Sequence, residues 1–108
     1  MTTLEKLKQN GIFIEQSDID RICIKYKLSE LSIFGSSLRN DFDTNSDLDI
    51  LISFHDIWQN DPFDIIYIAE EFKKLVTREV DIVCKDYIKN PIRRKNILEN
   101  REIIYGNK

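Results

Sequence analysis

The sequence predicts an α/β (α+β) fold, in which helices pack on one face of a small mixed β-sheet. Three runs of apolar and alternating residues have the length and composition of strands, and they lie at 28–34, 47–54 and 79–84. Segments with helical spacing or helix-start residues separate and flank these runs. A chain of 108 residues can bury one core but not two, so we expect a single domain over residues 1–108.

Four helices are predicted from residues that commonly begin helices, either by accepting free backbone N–H groups or by fixing φ in the first turn. These residues are Thr2 or Thr3 with Glu5, Ser17 with Asp18, Asp61 with Pro62, and Pro91. The first helix should cover about residues 3–10, and the third should run to about Val76. Residues 102–105 predict a short final strand.

Composition excludes several classes of protein. The net charge is -3, which argues against a general nucleic-acid binder, because such proteins usually present a basic face. No stretch approaches a membrane span, and the N-terminus lacks the apolar core of a signal peptide. Cys23 and Cys84 are isolated, without metal-ligand spacing. We therefore expect reduced core cysteines, a cytoplasmic protein, and no direct contact with membrane or nucleic acid.

The most informative stretch runs from Gly35-Ser36 to Asp47-Leu48-Asp49, with ten residues between the Gly-Ser pair and Asp47. Side chains alternate along a strand, so the two aspartates share one face and the following apolar residues share the other. Clustered carboxylates suit divalent cations, and a small-residue turn presents N–H groups that suit phosphate oxygens. The stretch predicts a site for a nucleotide and a metal ion.

Asp-x-Asp is a common pattern and needs context, because it also occurs at Asp18–Asp20 and at Asp41–Asp43. The first lies at a predicted helix start and the second in a polar loop, where aspartate has ordinary structural roles. Only Asp47-Leu48-Asp49 enters a predicted half-buried strand after a Gly-Ser turn. Asp81 is the candidate third carboxylate, since it alternates with the apolar residues of the next strand, where aspartate is uncommon.

The spacing Gly-Ser, ten residues, Asp-x-Asp resembles the signature of the DNA polymerase beta-like nucleotidyltransferase superfamily, and the short chain resembles its minimal nucleotidyltransferase (MNT) branch. Arg39 also matches, although the chain has Leu38-Arg39-Asn40 where the branch usually has Ala-Arg-Gly. The resemblance implies the nucleotidyltransferase fold and Mg²⁺-dependent transfer of AMP from ATP. It also places the family's third carboxylate on a later strand, where Asp81 lies.

The implied site divides into metal ligands and phosphate ligands. Two Mg²⁺ ions, about 3.5–4 Å apart, would clamp the attacking and leaving oxygens. Asp47, Asp49 and Asp81 would hold the ions and be catalytic, with Asp81 on the side of the acceptor hydroxyl. The nucleotide would be held by Gly35, Ser36, Ser37 and Arg39. For Arg39, a phosphate or partner contact and a surface ion pair are equally open; residues 93–95 predict a solvated helix face, with a docking patch as the alternative.

The acceptor is implied only by the resemblance to the antitoxin half of HEPN–MNT toxin–antitoxin pairs. In those pairs the MNT protein transfers AMP to a tyrosine of a HEPN-family toxin RNase, so a HEPN toxin is the expected partner, with assembly either into homo-oligomers or with the toxin. Two other functions stay open. The chain could be a non-catalytic antitoxin that acts by binding, or a nucleotidyltransferase for a small molecule of the aminoglycoside kind.

Overall fold

The computed structural model describes residues 2–39 and 47–106, in which helices and strands follow one another in the predicted order. Its helices are α1 (Thr3–Gln9), α2 (Gln16–Lys25), α3 (Asp64–Val76) and α4 (Pro91–Asn100). Its strands are β1 (Leu28–Phe34), β2 (Leu48–Phe54), β3 (Val80–Cys84) and β4 (Glu102–Gly106). The predicted polar loop at 41–46 lies outside the described residues.

The strands form one mixed sheet in the order β3-β2-β1-β4. β1 runs antiparallel to both β2 and β4, whereas β2 and β3 are parallel. Because the ends of parallel strands cannot be joined by a tight turn, α3 carries the chain back between β2 and β3. The predicted α+β fold with a small mixed sheet is confirmed.

The main core fills the space between one sheet face and helices α1, α2 and α3. Alternate strand residues point into it, as the period of two requires, and most of those on β1, β2 and β3 are buried. The buried residues of this cluster include Leu31 and Ile33 of β1, Ile50 and Ile52 of β2, Ile19 and Ile22 of α2, and Ile68 and Phe72 of α3. The prediction that the apolar residues of β2 share the face opposite Asp49 is confirmed for Ile50 and Ile52. Both cysteines are buried as free thiols.

α4 lies on the carboxylate side of the sheet. Ile97 of α4 and Leu51, which shares its strand face with Asp49, are buried but lie outside the main core. Arg101, directly after α4, forms an ion pair of 2.7 Å with Glu30, whose side chain shares this face. This face of the sheet is therefore open around Asp47 and Asp81 and covered by α4 elsewhere.

Two predicted helix starts were wrong by a few residues. Ser17 and Asp18 do not cap α2, which begins at Gln16 after Glu15. The carbonyl of Glu15 accepts from the backbone N–H groups of Asp18 and Ile19, so the first turn closes without a side-chain cap. α3 begins at Asp64, because Asp61 uses its carboxylate to accept the N–H of Phe63 in a preceding turn.

No helix within the described ranges is both long and apolar enough to cross a lipid bilayer.

Candidate active site

The Gly-Ser turn, a single 3₁₀ turn over Gly35–Leu38, follows β1 directly and brings the chain to the carboxylates. Gly35 has φ of +80°, a left-handed conformation that side chains disfavour. A Cβ atom at this position would also overlap Oδ2 of Asp49. Glycine is therefore required twice, by the backbone and by the close approach of the aspartate.

Hydrogen bonds on the interior side of the Gly-Ser turn hold it in place. Ser37 is fully buried, and its hydroxyl donates to the carbonyl of Phe34 at 3.5 Å. The Asn10 carboxamide, at the end of α1, donates to the carbonyls of Ser37 (2.8 Å) and Arg39 (3.1 Å). Ser36 is half-buried and Gly35 is exposed. Of the residues predicted to hold phosphate, Gly35, Ser36 and Arg39 are thus accessible, whereas Ser37 is buried and supports the turn.

The carboxylates meet across the parallel strand pair. Asp49 of β2 lies opposite Asp81 of β3, and on its other side opposite Phe34 of β1. Asp47 stands just before β2 and is exposed, as is Asp81, while Asp49 is half-buried. The strand register therefore brings the third predicted carboxylate beside the second, immediately next to the Gly-Ser turn.

The surroundings of Asp49 shift the pKa of its carboxyl group. Its pKa rises to about 6, first because burial disfavours the charged form, and then because Asp81 and Asp47 repel it. The nearby positive charge of Arg93 acts in the opposite direction. The site thus gathers more negative charge than its own cation neutralises, which favours a bound metal cation.

The donor chemistry fits a hard divalent cation, because the three predicted ligands offer only carboxylate oxygens. Their side chains are not yet gathered into a coordination shell: within residues 2–39 and 47–106, no group of three potential ligands stands close enough to hold an ion. Two of the three, Asp47 and Asp81, are exposed. Asp47, Asp49 and Asp81 are the residues that would hold Mg²⁺.

Two clefts flank the carboxylates. The turn cleft, of about 470 Å³, lies between the Gly-Ser turn and the C-terminal half of α4. The β3 cleft, of about 340 Å³, lies on the other side and is lined by Asp81, Tyr87, Ile88 and Arg93 among others. A reaction that needs a donor and an acceptor on opposite sides of a metal site would find a recess on each side.

A third cleft, of about 400 Å³, lies between α2 and α3 and does not belong to this site. Its central carboxylate, Glu71, already forms ion pairs with Arg21 at 3.1 Å and Lys25 at 3.0 Å. These pairs tie the two helices together. The cleft is therefore best explained by helix packing.

α4 is fixed over the site by arginines, and this placement was not predicted. The guanidinium of Arg94 donates to the carbonyl of Lys85, and that of Arg101 pairs with Glu30. Burial alone would raise the pKa of Glu30, but hydrogen bonds from Arg101 and Ser32 and the charges of Arg101 and Lys85 hold it below its ordinary value. Arg93, expected on a solvated helix face, is exposed but also acts on Asp49.

The family follows from comparison with known proteins. A family model described as a nucleotidyltransferase domain matches residues 19–104, which include both strands of the carboxylate pair and the Gly-Ser turn. This chain belongs to the nucleotidyltransferase domain family. The predicted family and enzyme class are confirmed.

Relatives of this nucleotidyltransferase carry a consistent name. A candidate protein adenylyltransferase of Methanocaldococcus jannaschii is 37% identical over 81 residues, covering 75% of this chain and 79% of the relative. A second from the same organism is 32% identical over 108 residues, covering 97% and 99%. The protein adenylyltransferase MntA of Thermococcus cleftensis is 33% identical over 81 residues, covering 75% and 77%.

Solved structures share the fold at low sequence identity. A candidate minimal nucleotidyltransferase superposes with a TM-score of 0.70 at 24% identity, covering 94% of this chain and 95% of that one. A toxin–antitoxin structure with AMP-PNP gives 0.71 at 18%, covering 88% and 76%. A complex of tri-AMPylated Shewanella oneidensis HEPN toxin with its MNT antitoxin gives 0.62 at 18%, covering 85% and 70%.

Proposed function

We propose that this nucleotidyltransferase transfers AMP from ATP, with Mg²⁺, to a tyrosine hydroxyl of a HEPN-family toxin RNase and thereby acts as its antitoxin. The observation that carries the chemistry is the pairing of Asp49 with Asp81 in adjacent parallel strands, beside a glycine turn. The names of the relatives and the MNT–HEPN complexes among the structures of the same fold support the choice of acceptor.

In the proposed reaction, the acceptor oxygen forms a bond to the α-phosphorus, and the bond from that phosphorus to the bridging oxygen breaks, so that pyrophosphate leaves. Bound Mg²⁺ would neutralise the phosphate charge and ease loss of the hydroxyl proton. Asp81 would receive that proton from an acceptor that enters the β3 cleft, and its exposure and its position in the lining of this cleft support the role. Backbone N–H groups of Gly35 and Ser36 would hold the leaving phosphates.

The surroundings of the β3 cleft favour a protein acceptor over a polycationic drug. Besides Asp81, the charged groups between the end of β3 and the start of α4 are mainly basic, and they include Lys85, Lys89, Arg93 and Arg94. An aminoglycoside would meet repulsion at this entrance, because its amines carry the same sign of charge. A tyrosine presented on a folded surface meets the apolar side chains of Tyr87 and Ile88.

The test incubates the purified chain with labelled ATP, Mg²⁺ and the product of the adjacent gene. An Asp47→Ala/Asp49→Ala variant runs in parallel, and Glu15→Gln serves as a control that removes one exposed charge away from the site. We expect an added AMP mass on the partner with the native chain and the control, and none with the double variant. Equal inhibition of an unlabelled partner by all three chains would instead identify an antitoxin that acts by binding.

A further inference from the structure

The turn cleft has the size and the lining of a binding site, and no step above has used it. Its volume of about 470 Å³ is within the range of small-molecule sites. One wall is the Gly-Ser turn with Phe34, Leu38 and Arg39. The other is α4 with Asn96, Ile97 and Asn100, and Glu102 of β4 completes the lining. Gly35 lines the cleft, and a Cβ atom added at Gly35 would overlap Oδ2 of Asp49. The cleft therefore opens directly beside this carboxylate.

The walls of the turn cleft suit a flat heteroaromatic ring. Phe34 and Leu38 are half-buried and Ile97 is buried, so they present apolar surface without needing to move. The Asn100 carboxamide is held by its own helix, where it donates to the carbonyl of Asn96 at 2.8 Å. The side chain of Asn96 is exposed and forms no hydrogen bond with the described residues. It therefore keeps one donor and one acceptor for a ligand.

A carboxamide with both groups available matches one purine better than the other. Adenine presents an N6 donor next to the N7 acceptor, and asparagine can pair with both at once. Guanine presents two acceptors, O6 and N7, on the same edge, so one of the two hydrogen bonds would be lost. The side chain at this position can thus discriminate between nucleotides.

We infer that the turn cleft binds the nucleoside of the donor nucleotide and that Asn96 selects adenine. The inference rests on the proposed function, since it needs a triphosphate at the Gly-Ser turn. With the phosphates at the N–H groups of Gly35 and Ser36, the base lies between Leu38 and α4, and its edge faces the Asn96 carboxamide. The ion pair of Arg101 with Glu30 fixes the end of the helix that carries this residue.

The test measures equilibrium binding of ATP and GTP to the full chain with Mg²⁺, by competition against a fluorescent ATP analogue. We expect the native chain to prefer ATP by about tenfold, the discrimination of one bidentate contact. Asn96→Ala should weaken the binding of ATP, which loses two hydrogen bonds, more than that of GTP, which loses one, so that the preference falls towards one. Glu99→Gln, an exposed change on the same helix outside the cleft, should keep the native preference.

A second variant tests the cleft itself. Asn96→Trp places a large side chain over the opening from an exposed helical position, so folding is preserved and both nucleotides should bind at least tenfold more weakly. Equal affinities for ATP and GTP in the native chain, or a preference that survives Asn96→Ala, would overturn the role of Asn96. Unchanged binding of both nucleotides by Asn96→Trp would overturn the assignment of the turn cleft as the nucleoside site.

Binding needs no acceptor, so this outcome is separate from that of the proposed function. A chain that selects ATP through Asn96 but labels no partner keeps the inference and loses protein adenylylation. A chain that labels its partner but binds every nucleotide alike keeps the function and loses the inference.

Discussion

A methyl group on Gly35 and Oδ2 of Asp49 would occupy the same space. The turn that we propose to hold phosphate and the strand that carries the central carboxylate are therefore in contact through a residue without a side chain. Since φ at Gly35 is +80°, a substitution also strains the backbone.

Gly35→Ala should abolish nucleotidyl transfer, because the methyl group displaces the Asp49 carboxylate as well as straining the turn. Gly11→Ala is the matched control: its φ is +81°, but no atom lies within 4 Å of the added carbon. Both variants should lose about 1 kcal/mol of stability from backbone strain. Only Gly35→Ala should lose activity, measured as AMP transferred per minute by folded protein; equal activities would contradict the contact.

Stability should depend on the ionisation of Asp49. Its pKa is raised from 3.8 to about 6 in the folded state, so the folded chain holds this proton more tightly than the unfolded chain. The free energy of unfolding should therefore fall as pH rises through this interval and stay constant above it. Asp49→Asn should remove that loss and be more stable than the native chain above pH 6, by about 1 kcal/mol after allowance for solvent screening.

The measurement is chemical denaturation across this pH range in metal-free buffer, for the native chain and Asp49→Asn. The two should converge at low pH, where the native carboxyl is also neutral. A stability difference that does not change with pH would mean that burial and the repulsion from Asp81 and Asp47 together do not raise the pKa of Asp49.

Mg²⁺ should relieve the same repulsion by binding. A ligand that binds only the folded state raises the thermal midpoint by mass action, so added Mg²⁺ should stabilise the native chain. Asp49→Asn and Asp81→Asn should lose most of this shift, whereas Glu15→Gln should keep it. The readout is the midpoint of thermal unfolding as a function of Mg²⁺ concentration. A shift that persists in both aspartate variants would place the cation elsewhere.

Asn10 should act as a positioning residue for the Gly-Ser turn. Asn10→Ala removes two hydrogen bonds to the carbonyls of Ser37 and Arg39, so the turn should loosen. We expect KM for ATP to rise several-fold with a stability loss of about 1 kcal/mol. Gln9→Ala, an exposed neighbour on α1, is the control. An unchanged KM would show that the turn keeps its shape without this support.

The Glu30–Arg101 pair should anchor α4. Arg101→Met leaves a poorly exposed carboxylate without its cation, which should cost about 1–3 kcal/mol. Because the folded pKa of Glu30 is lowered, its contribution is present above its ordinary pKa of 4.5 and is lost as pH falls, and the variant should lose this acid dependence. Lys95→Met removes an exposed 4.0 Å pair and should change stability by less than about 0.5 kcal/mol.

The strands and the centre of the site could be predicted because their evidence is local. Alternation along β2 assigns Asp49 to the face opposite the buried isoleucines, and the same period places Asp81 on β3. The spacing to Gly35 and the family resemblance then predicted that these residues would lie together.

The supporting residues could not be predicted, because their evidence is not local. Asn10 reaches the Gly-Ser turn from a helix 27 residues away in sequence. α4 buries only Ile97, so its sequence contains no apolar stripe to indicate which side faces the sheet. The proximity of Arg93 and Asn96 to the site became visible only from the docking of that helix.

The parallel pairing of β2 with β3 makes enzymatic activity a reporter of late folding. A slip of one residue would turn Asp81 towards the helices and set an apolar side chain beside Asp49. The correct register forms only after α3 has crossed over and docked, a long-range event that is slow compared with helix formation. Recovery of activity during refolding should therefore follow the slowest structural phase, after far-ultraviolet dichroism has returned.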